Sequence, residues 1–61
     1  MTKTYTAIVF FPPALGIRPR KYRNVVERTF INFATRSGAY YVNFYDPDTR
    51  AYVRRVYCIQ P

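Results

Sequence analysis

The chain has 61 residues, and ten lysines and arginines against three acidic residues give it a formal net charge of +7 at pH 7. Hydrophobic residues make up 49% of it, including seven tyrosines and five phenylalanines, a content too high for a disordered basic tail. A single cysteine and no histidine exclude an internal disulfide and a zinc site, and no apolar stretch approaches the roughly 20 residues of a membrane-spanning helix.

Residues 1–61 are predicted to form one small basic domain. A domain of about 60 residues buries only about 60% of the surface that its unfolded chain exposes, so we expect marginal stability and a homo-oligomer. The lone Cys58 is typical of a reducing compartment, and Pro12-Pro13 ends the first apolar run too early for a signal peptide. We therefore expect a cytoplasmic protein, in the host cell if a phage encodes it, without membrane contact.

The first predicted element is a strand from Lys3 to Phe11. Most of its residues are β-branched or aromatic, and its last four residues suggest burial on both faces. A loop is expected from Pro12 to Pro19, because three prolines and a glycine interrupt regular structure there.

The next segment predicts a helix over about residues 22 to 36. Its apolar residues share one face of a 3.6-residue period, namely Tyr22, Val25, Val26, Phe30 and Phe33. Gly38 stands where a helix-ending glycine belongs, and Arg36 falls in the last turn, where a cation suits the helix dipole. The alternative is a strand from Thr29 to Thr35, which would make the whole chain an all-β meander.

Two further strands are predicted from Ala39 to Tyr45 and from Arg50 to Ile59, joined by a type I turn at Asp46-Pro47-Asp48-Thr49. The expected fold is therefore α+β, a small β-α-β-β domain with one helix packed on a three-stranded sheet. The helix would connect the first two strands.

Pairing the last two strands through this turn predicts two different faces, because side chains alternate along a strand. One face would be apolar and lie under the helix, with Tyr40, Val42, Phe44, Ala51 and Val53. The other would carry Tyr41, Asn43, Tyr45, Arg50, Tyr52 and Arg54. Arg55 is adjacent to Arg54, so one of the two points to the helix side unless a β-bulge turns both outward.

A second basic group is predicted where the loop meets the helix. It consists of Arg18, Arg20, Lys21 and Arg23. Cations near a helix N-terminus oppose the dipole unless an anion such as phosphate binds there. The alternative is a short, solvated basic run, which is common and unspecific.

These two groups predict a small accessory protein that binds single-stranded or structured nucleic acid, DNA or RNA, of a size that would suit a phage or mobile element. Bases stack on aromatic rings and guanidinium planes, as in single-stranded RNA modules with an open four-stranded sheet. Only the arrangement is comparable, because residues 50–57 lack the glycine and phenylalanine spacing of those modules.

Three alternatives stay open. Tyrosine also packs well between neighbouring strands without binding anything. Because tyrosine and arginine dominate protein interfaces as well, the second interpretation, after nucleic-acid binding, is a protein-interaction module or a small inhibitor that docks on an acidic or nucleic-acid-binding protein. A minor structural or assembly subunit that pairs through an edge strand is the third alternative.

An enzyme is not expected. The chain has no histidine, only three scattered carboxylates and no glycine-rich phosphate loop, so no catalytic residue, cofactor or metal is predicted. RNA cleavage by arginine, lysine and tyrosine is the one enzymatic alternative that the residue types allow.

Overall fold

A computed structural model describes residues 2–58 of the chain. The elements in chain order are β1 (Thr4–Phe10), a short 3-10 helix (Pro13–Leu15), β2 (Arg20–Val26), α1 (Glu27–Arg36), β3 (Tyr41–Tyr45) and β4 (Tyr52–Tyr57). The strands form one antiparallel sheet in the order β2-β1-β3-β4. The α+β class is thus confirmed, whereas the predicted three-stranded sheet is wrong, because the sheet has four strands.

The additional strand is β2, which occupies the first part of the predicted helix. It pairs with β1, and a bulge places Arg23 and Asn24 opposite the single residue Thr6. Asn24 has a φ of 56°, a left-handed conformation that asparagine tolerates better than most residues. Since the bulge adds one residue, Tyr22 and Val25 lie on the same side of a strand at a spacing that also fits a helix.

The helix is shorter than predicted and begins at Glu27, directly after β2. It connects β2 to β3, which pairs with the far edge of β1, and so does not connect the first two strands. The acidic Glu27 lies in its first turn, where a negative charge suits the dipole. The basic group at residues 18–23 therefore lies before and within β2, and its predicted position at a helix N-terminus is wrong.

The end of the helix is where the sequence predicts it, and the all-β alternative is wrong. The amide of Gly38 donates to the carbonyl of Thr35 (3.2 Å), and the amide of Ala39 donates to the carbonyl of Ala34 (3.1 Å). This is the Schellman pattern, which needs a left-handed residue after the helix, and Gly38 has a φ of 82°. Ala34 and Ala39 are both fully buried, so the apolar contact that accompanies the motif is also present.

The core lies between the helix and one side of the sheet. Its buried apolar residues are Ala7, Val9, Phe30, Ala34, Ala39, Val42 and Phe44. The Phe30 ring contacts the Tyr22 ring at 5.1 Å and the Phe44 ring at 6.3 Å between centroids. The helix thus packs on the sheet through Phe30 and Ala34, and it leaves the opposite side of the sheet uncovered.

The register of β3 and β4 differs from the prediction. Tyr45 pairs with Tyr52 and Phe44 with Arg54, so Val53 is a bulged residue without a partner. The connection between β3 and β4 is longer than a tight turn. Within it, Arg50 has a φ of 65° and donates its amide to the carbonyl of Asp46 (2.9 Å).

This register corrects the predicted apolar face. Val42 and Phe44 are buried under the helix as expected, but Ala51 and Val53 are exposed, and Tyr40 is 40% exposed at the end of the sheet. The predicted last strand ran to Ile59, which lies outside the described residues. Within residues 2–58 the structure has no helix that is both long and apolar enough to cross a bilayer.

Candidate functional site

We call the side of the sheet that the helix leaves uncovered the open face. The strand pairings place on it Thr6, Ile8 and Phe10 of β1, Lys21 and Arg23 of β2, Tyr41, Asn43 and Tyr45 of β3, and Tyr52, Arg55 and Tyr57 of β4. The open face divides into an aromatic cluster at one end and a cationic groove at the other. Tyr41 and Tyr45 mark the two ends on β3, about 13 Å apart at roughly 3.3 Å per residue.

The aromatic cluster consists of Phe10, Tyr40, Tyr41 and Tyr57. The Phe10 and Tyr41 rings are stacked, with centroids 4.7 Å apart and planes 25° from parallel. The Tyr57 ring meets Tyr41 at 5.6 Å and Tyr40 at 5.7 Å. Because Tyr57 is 53% exposed, the cluster presents an aromatic surface to solvent.

Arg55 lies on the cluster and is held in place by three neighbours. Its Nε donates to the Asn43 Oδ1 (2.9 Å), and its guanidinium carbon lies 4.2 Å from the centre of the Tyr41 ring. A long hydrogen bond of 3.5 Å to the Tyr57 hydroxyl raises the pKa of Arg55 above its ordinary value because it stabilises the charged guanidinium. Asn43 is itself buried, so it positions the arginine and has little surface for a ligand.

The cationic groove lies at the other end of the open face and has a volume of about 320 Å³. It is lined by Thr6, Ile8, Lys21, Arg23, Asn24, Tyr45, Asp46, Pro47 and Arg50. Two residues with positive φ, Asn24 and Arg50, shape it from opposite sides, one at the β2 bulge and the other after the β3–β4 turn. The centroid of the Tyr45 ring is 5.9 Å from that of Tyr52, which extends the aromatic surface beyond the groove.

Among residues 2–58, Asp46 is the one carboxylate that lines this groove, and it accepts hydrogen bonds from its own turn. Its Oδ1 accepts hydrogen bonds from the amides of Asp48 (2.8 Å) and Thr49 (3.0 Å). The Thr49 amide first, and then the Asp48 amide, lower the pKa of Asp46 because they stabilise the ionised form. Its main role is therefore to fold the turn.

Most of the predicted binding residues lie together on the open face or line its groove. Tyr41, Asn43, Tyr45, Tyr52 and Arg55 are on the face, and Lys21, Arg23 and Arg50 line the groove.

Three predicted residues lie elsewhere. Arg54 pairs with Phe44 on the helix side, where its Nε donates to the Glu27 Oε2 (2.9 Å) and its Nη2 forms an ion pair with the same carboxylate. Arg20 pairs with Val9 and so also faces the helix side. Arg18 is exposed in the loop before β2 and does not line the groove.

Several residues of the open face or of its groove were not predicted from the sequence, namely Thr6, Ile8, Phe10, Asn24 and Tyr57. The β1 residues were missed because the apolar run from Ile8 to Phe11 suggested burial on both faces, whereas Ile8 and Phe10 are only half-buried. Tyr57 follows Arg55 by two residues, so the alternation along β4 would have found it once Arg55 was placed outward.

The described residues offer no further centre of reactivity. Cys58 is half-buried and packs against the core, and burial raises the pKa of its thiol while the Thr35 hydroxyl acts in the opposite direction. Residues 2–58 contain no group of three or more histidine, cysteine, aspartate or glutamate side chains that could hold a metal ion. Comparison of the chain with protein-family models, with curated proteins and with solved structures found no significant match.

Proposed function

We propose that the protein binds single-stranded nucleic acid on the open face of its sheet. One observation carries this proposal: exposed tyrosines, a fixed arginine and a groove with three cations lie on the same uncovered face. Among residues 2–58, the one carboxylate that lines the groove is that of Asp46, and it accepts hydrogen bonds from two backbone amides. Such a face suits a ligand that is both aromatic and anionic.

The tyrosines provide the surface for the bases. Tyr52 is 57% exposed and Tyr57 is 53% exposed, so each offers a ring at which an unpaired base can stack. Base stacking on aromatic side chains depends little on sequence, because every base has a π face. A duplex hides its bases within the stack, so these rings favour a single strand over a double helix.

The groove provides the contacts for the phosphates. Lys21, Arg23 and Arg50 line it, and arginine can bind a phosphate through two parallel hydrogen bonds. Its volume of about 320 Å³ is at the lower end for a small-molecule pocket, so it accommodates a segment of backbone and not a large ligand. A strand that follows β3 would meet the cations at one end and the aromatic cluster at the other.

The test is to replace exposed tyrosines one at a time. Tyr52→Ala and Tyr57→Ala should each weaken binding of a short oligodeoxythymidine by about 1 to 3 kcal/mol, because one stacked base is lost. Fluorescence anisotropy at constant salt measures the dissociation constant. The same variants should leave the number of ions released on binding almost unchanged, since no phosphate contact is removed.

The matched control is Phe33→Ala. Phe33 is 47% exposed, like the two tyrosines, but it lies on the helix side. It should leave oligonucleotide affinity unchanged. Each variant must retain a cooperative melting transition, and wild-type affinity in both tyrosine variants would show that these rings only pack the sheet.

A further inference from the structure

On the helix side, an exposed apolar surface surrounds Phe33. The ring separates two grooves of about 360 Å³ and 190 Å³. The larger groove is lined by Tyr22, Val25, Val26, Thr29, Phe30 and Phe33. The smaller groove is lined by Val9, Phe11, Ile17, Arg20, Tyr22, Phe33, Ala34 and Ser37. Phe33 remains 47% exposed, Ile17 40% and Val26 36%, which is unfavourable in water unless something covers them.

The surroundings of this surface are cationic. Arg20 is part of the wall of the smaller groove, and Arg36 follows Phe33 by three residues on the helix, a spacing that makes them neighbours on its surface. Within residues 2–58, no carboxylate side chain lines either groove. Glu27, the one acidic residue of the helix, is paired with Arg54. The surface therefore combines an apolar floor with a positive rim.

We propose that the two grooves beside Phe33 bind an acidic segment of a partner protein, whose apolar side chains enter the grooves while its carboxylates meet Arg20 and Arg36. An aromatic side chain that is fixed between pockets is typical of the centre of a protein interface. Nucleic acid fits less well, because the larger groove, lined by valines, phenylalanines, one tyrosine and one threonine, offers a phosphate no cation within residues 2–58.

A second copy of the chain also fits poorly. Each copy carries a net charge of +7, and the adjacent edge strand β2 carries Arg20, Lys21 and Arg23. Bringing two such edges together would oppose like charges, and cations on an edge strand are a common means of preventing self-pairing. An acidic partner removes this repulsion and gains from the same charges. This site is separate from the open face and does not depend on the function proposed for it.

The probe is a synthetic peptide in which leucine and phenylalanine alternate with glutamate. Its control peptide has serine at every leucine and phenylalanine position and the same charge. Titration of the 61-residue chain, followed by NMR chemical shifts, should place the first peptide at Val26, Phe33 and Ile17. The serine peptide should bind at least about tenfold more weakly, because the apolar contacts are lost.

Phe33→Ser should weaken binding of the apolar peptide at least about tenfold, and Arg20→Gln should weaken it less and reduce its salt dependence. Ile17→Ser, in the exposed loop before β2, serves as a second test should Phe33→Ser fail to fold. Equal binding of both peptides, or shifts confined to the open face, would overturn the proposal. A wild-type dimer that Phe33→Ser converts to a monomer in sedimentation would overturn it too, since the grooves would then bind a second copy.

Discussion

Arg54 and Arg55 are adjacent in the chain and lie on opposite faces of the sheet. Arg54 pairs with Phe44 and reaches Glu27 at the start of the helix, whereas Arg55 pairs with Asn43 and lies against the Tyr41 ring. The two side chains carry the same charge. They therefore form a matched pair that separates the effect of position from the effect of net charge.

Replacement of each arginine by glutamine tests the open face directly. Arg55→Gln should weaken oligodeoxythymidine binding and lower the slope of log affinity against log salt by about one, because one positive charge on the proposed binding face is lost. Arg54→Gln should leave that slope unchanged, since its partner is Glu27. Fluorescence anisotropy over a series of sodium chloride concentrations measures both slopes. An equal change in the two variants would mean that binding responds to net charge alone.

At the level of elements, the helix end and the β3–β4 turn are local features that few residues determine. Gly38 adopts a φ of 82° after the helix, where a residue with a Cβ is strained. No heavy atom lies within 4 Å of a Cβ built at this position, so a larger residue would meet no clash. The effect of a substitution there should therefore come from backbone conformation alone.

Gly38→Ala should reduce the free energy of unfolding by about 1 to 2 kcal/mol, because a left-handed conformation is unfavourable for alanine. For a domain of this size each kcal/mol lowers Tm by roughly 4 to 8 °C. Gly38→Asn should cost less, since asparagine tolerates this region. Thermal unfolding followed by circular dichroism compares the three proteins. If alanine and asparagine lower Tm equally, the φ of Gly38 is not the cause.

These local features explain which parts of the fold could be predicted from the sequence. A glycine after an apolar helical face specifies the end of a helix, and the Asp-Pro pair specifies the position of a turn, although not the length of the β3–β4 connection. Strand β2 could not be predicted, because its bulge at Arg23-Asn24 places Tyr22 and Val25 on one side at helical spacing. Pairing with β1 makes this segment a strand, and such a long-range contact cannot be predicted from the periodicity of the sequence.

The face of the sheet on which each candidate residue lies could also be predicted only in part, because alternation along a strand holds only as far as a bulge. Alternation along β3 correctly placed Tyr41, Asn43 and Tyr45 on one face, since that strand has no bulge. The bulge at Val53 shifts every later residue of β4 by one position, which moves Arg54 to the helix side. The groove was missed altogether because β2, which supplies two of its cations, was expected to be helical.

At the scale of the whole molecule, positive charge opposes folding and favours binding of anions. The net charge is +7 with three carboxylates ionised, and protonation of all three leaves the ten lysines and arginines, a charge of +10. Self-repulsion grows with this charge and destabilises the compact state. Two of the carboxylates also have structural partners, since Glu27 pairs with Arg54 and Asp46 accepts two amide hydrogen bonds.

The lowered pKa of Asp46 predicts the direction in which the stability of the protein changes with pH. Its pKa in the folded protein lies below the ordinary value of 3.8, so the native state favours the ionised form. Its contribution to stability is present above the unfolded pKa of about 3.8 and is lost as the pH falls through the lower folded pKa. The protein should therefore have a constant Tm near neutral pH and lose stability below about pH 4.

Asp46→Asn should show a smaller fall in Tm between pH 5 and pH 2 than the wild type, because the amide side chain does not titrate. Asp48→Asn is the control, as it removes a carboxylate from the same turn that accepts no hydrogen bond within residues 2–58. Its Tm profile should follow that of the wild type more closely.

Added sodium chloride should recover part of the lost Tm at pH 2 in all three proteins, because screening reduces repulsion among ten cations. Parallel curves for wild type and Asp46→Asn would show that general repulsion, and not the hydrogen bonds of this turn, governs acid unfolding.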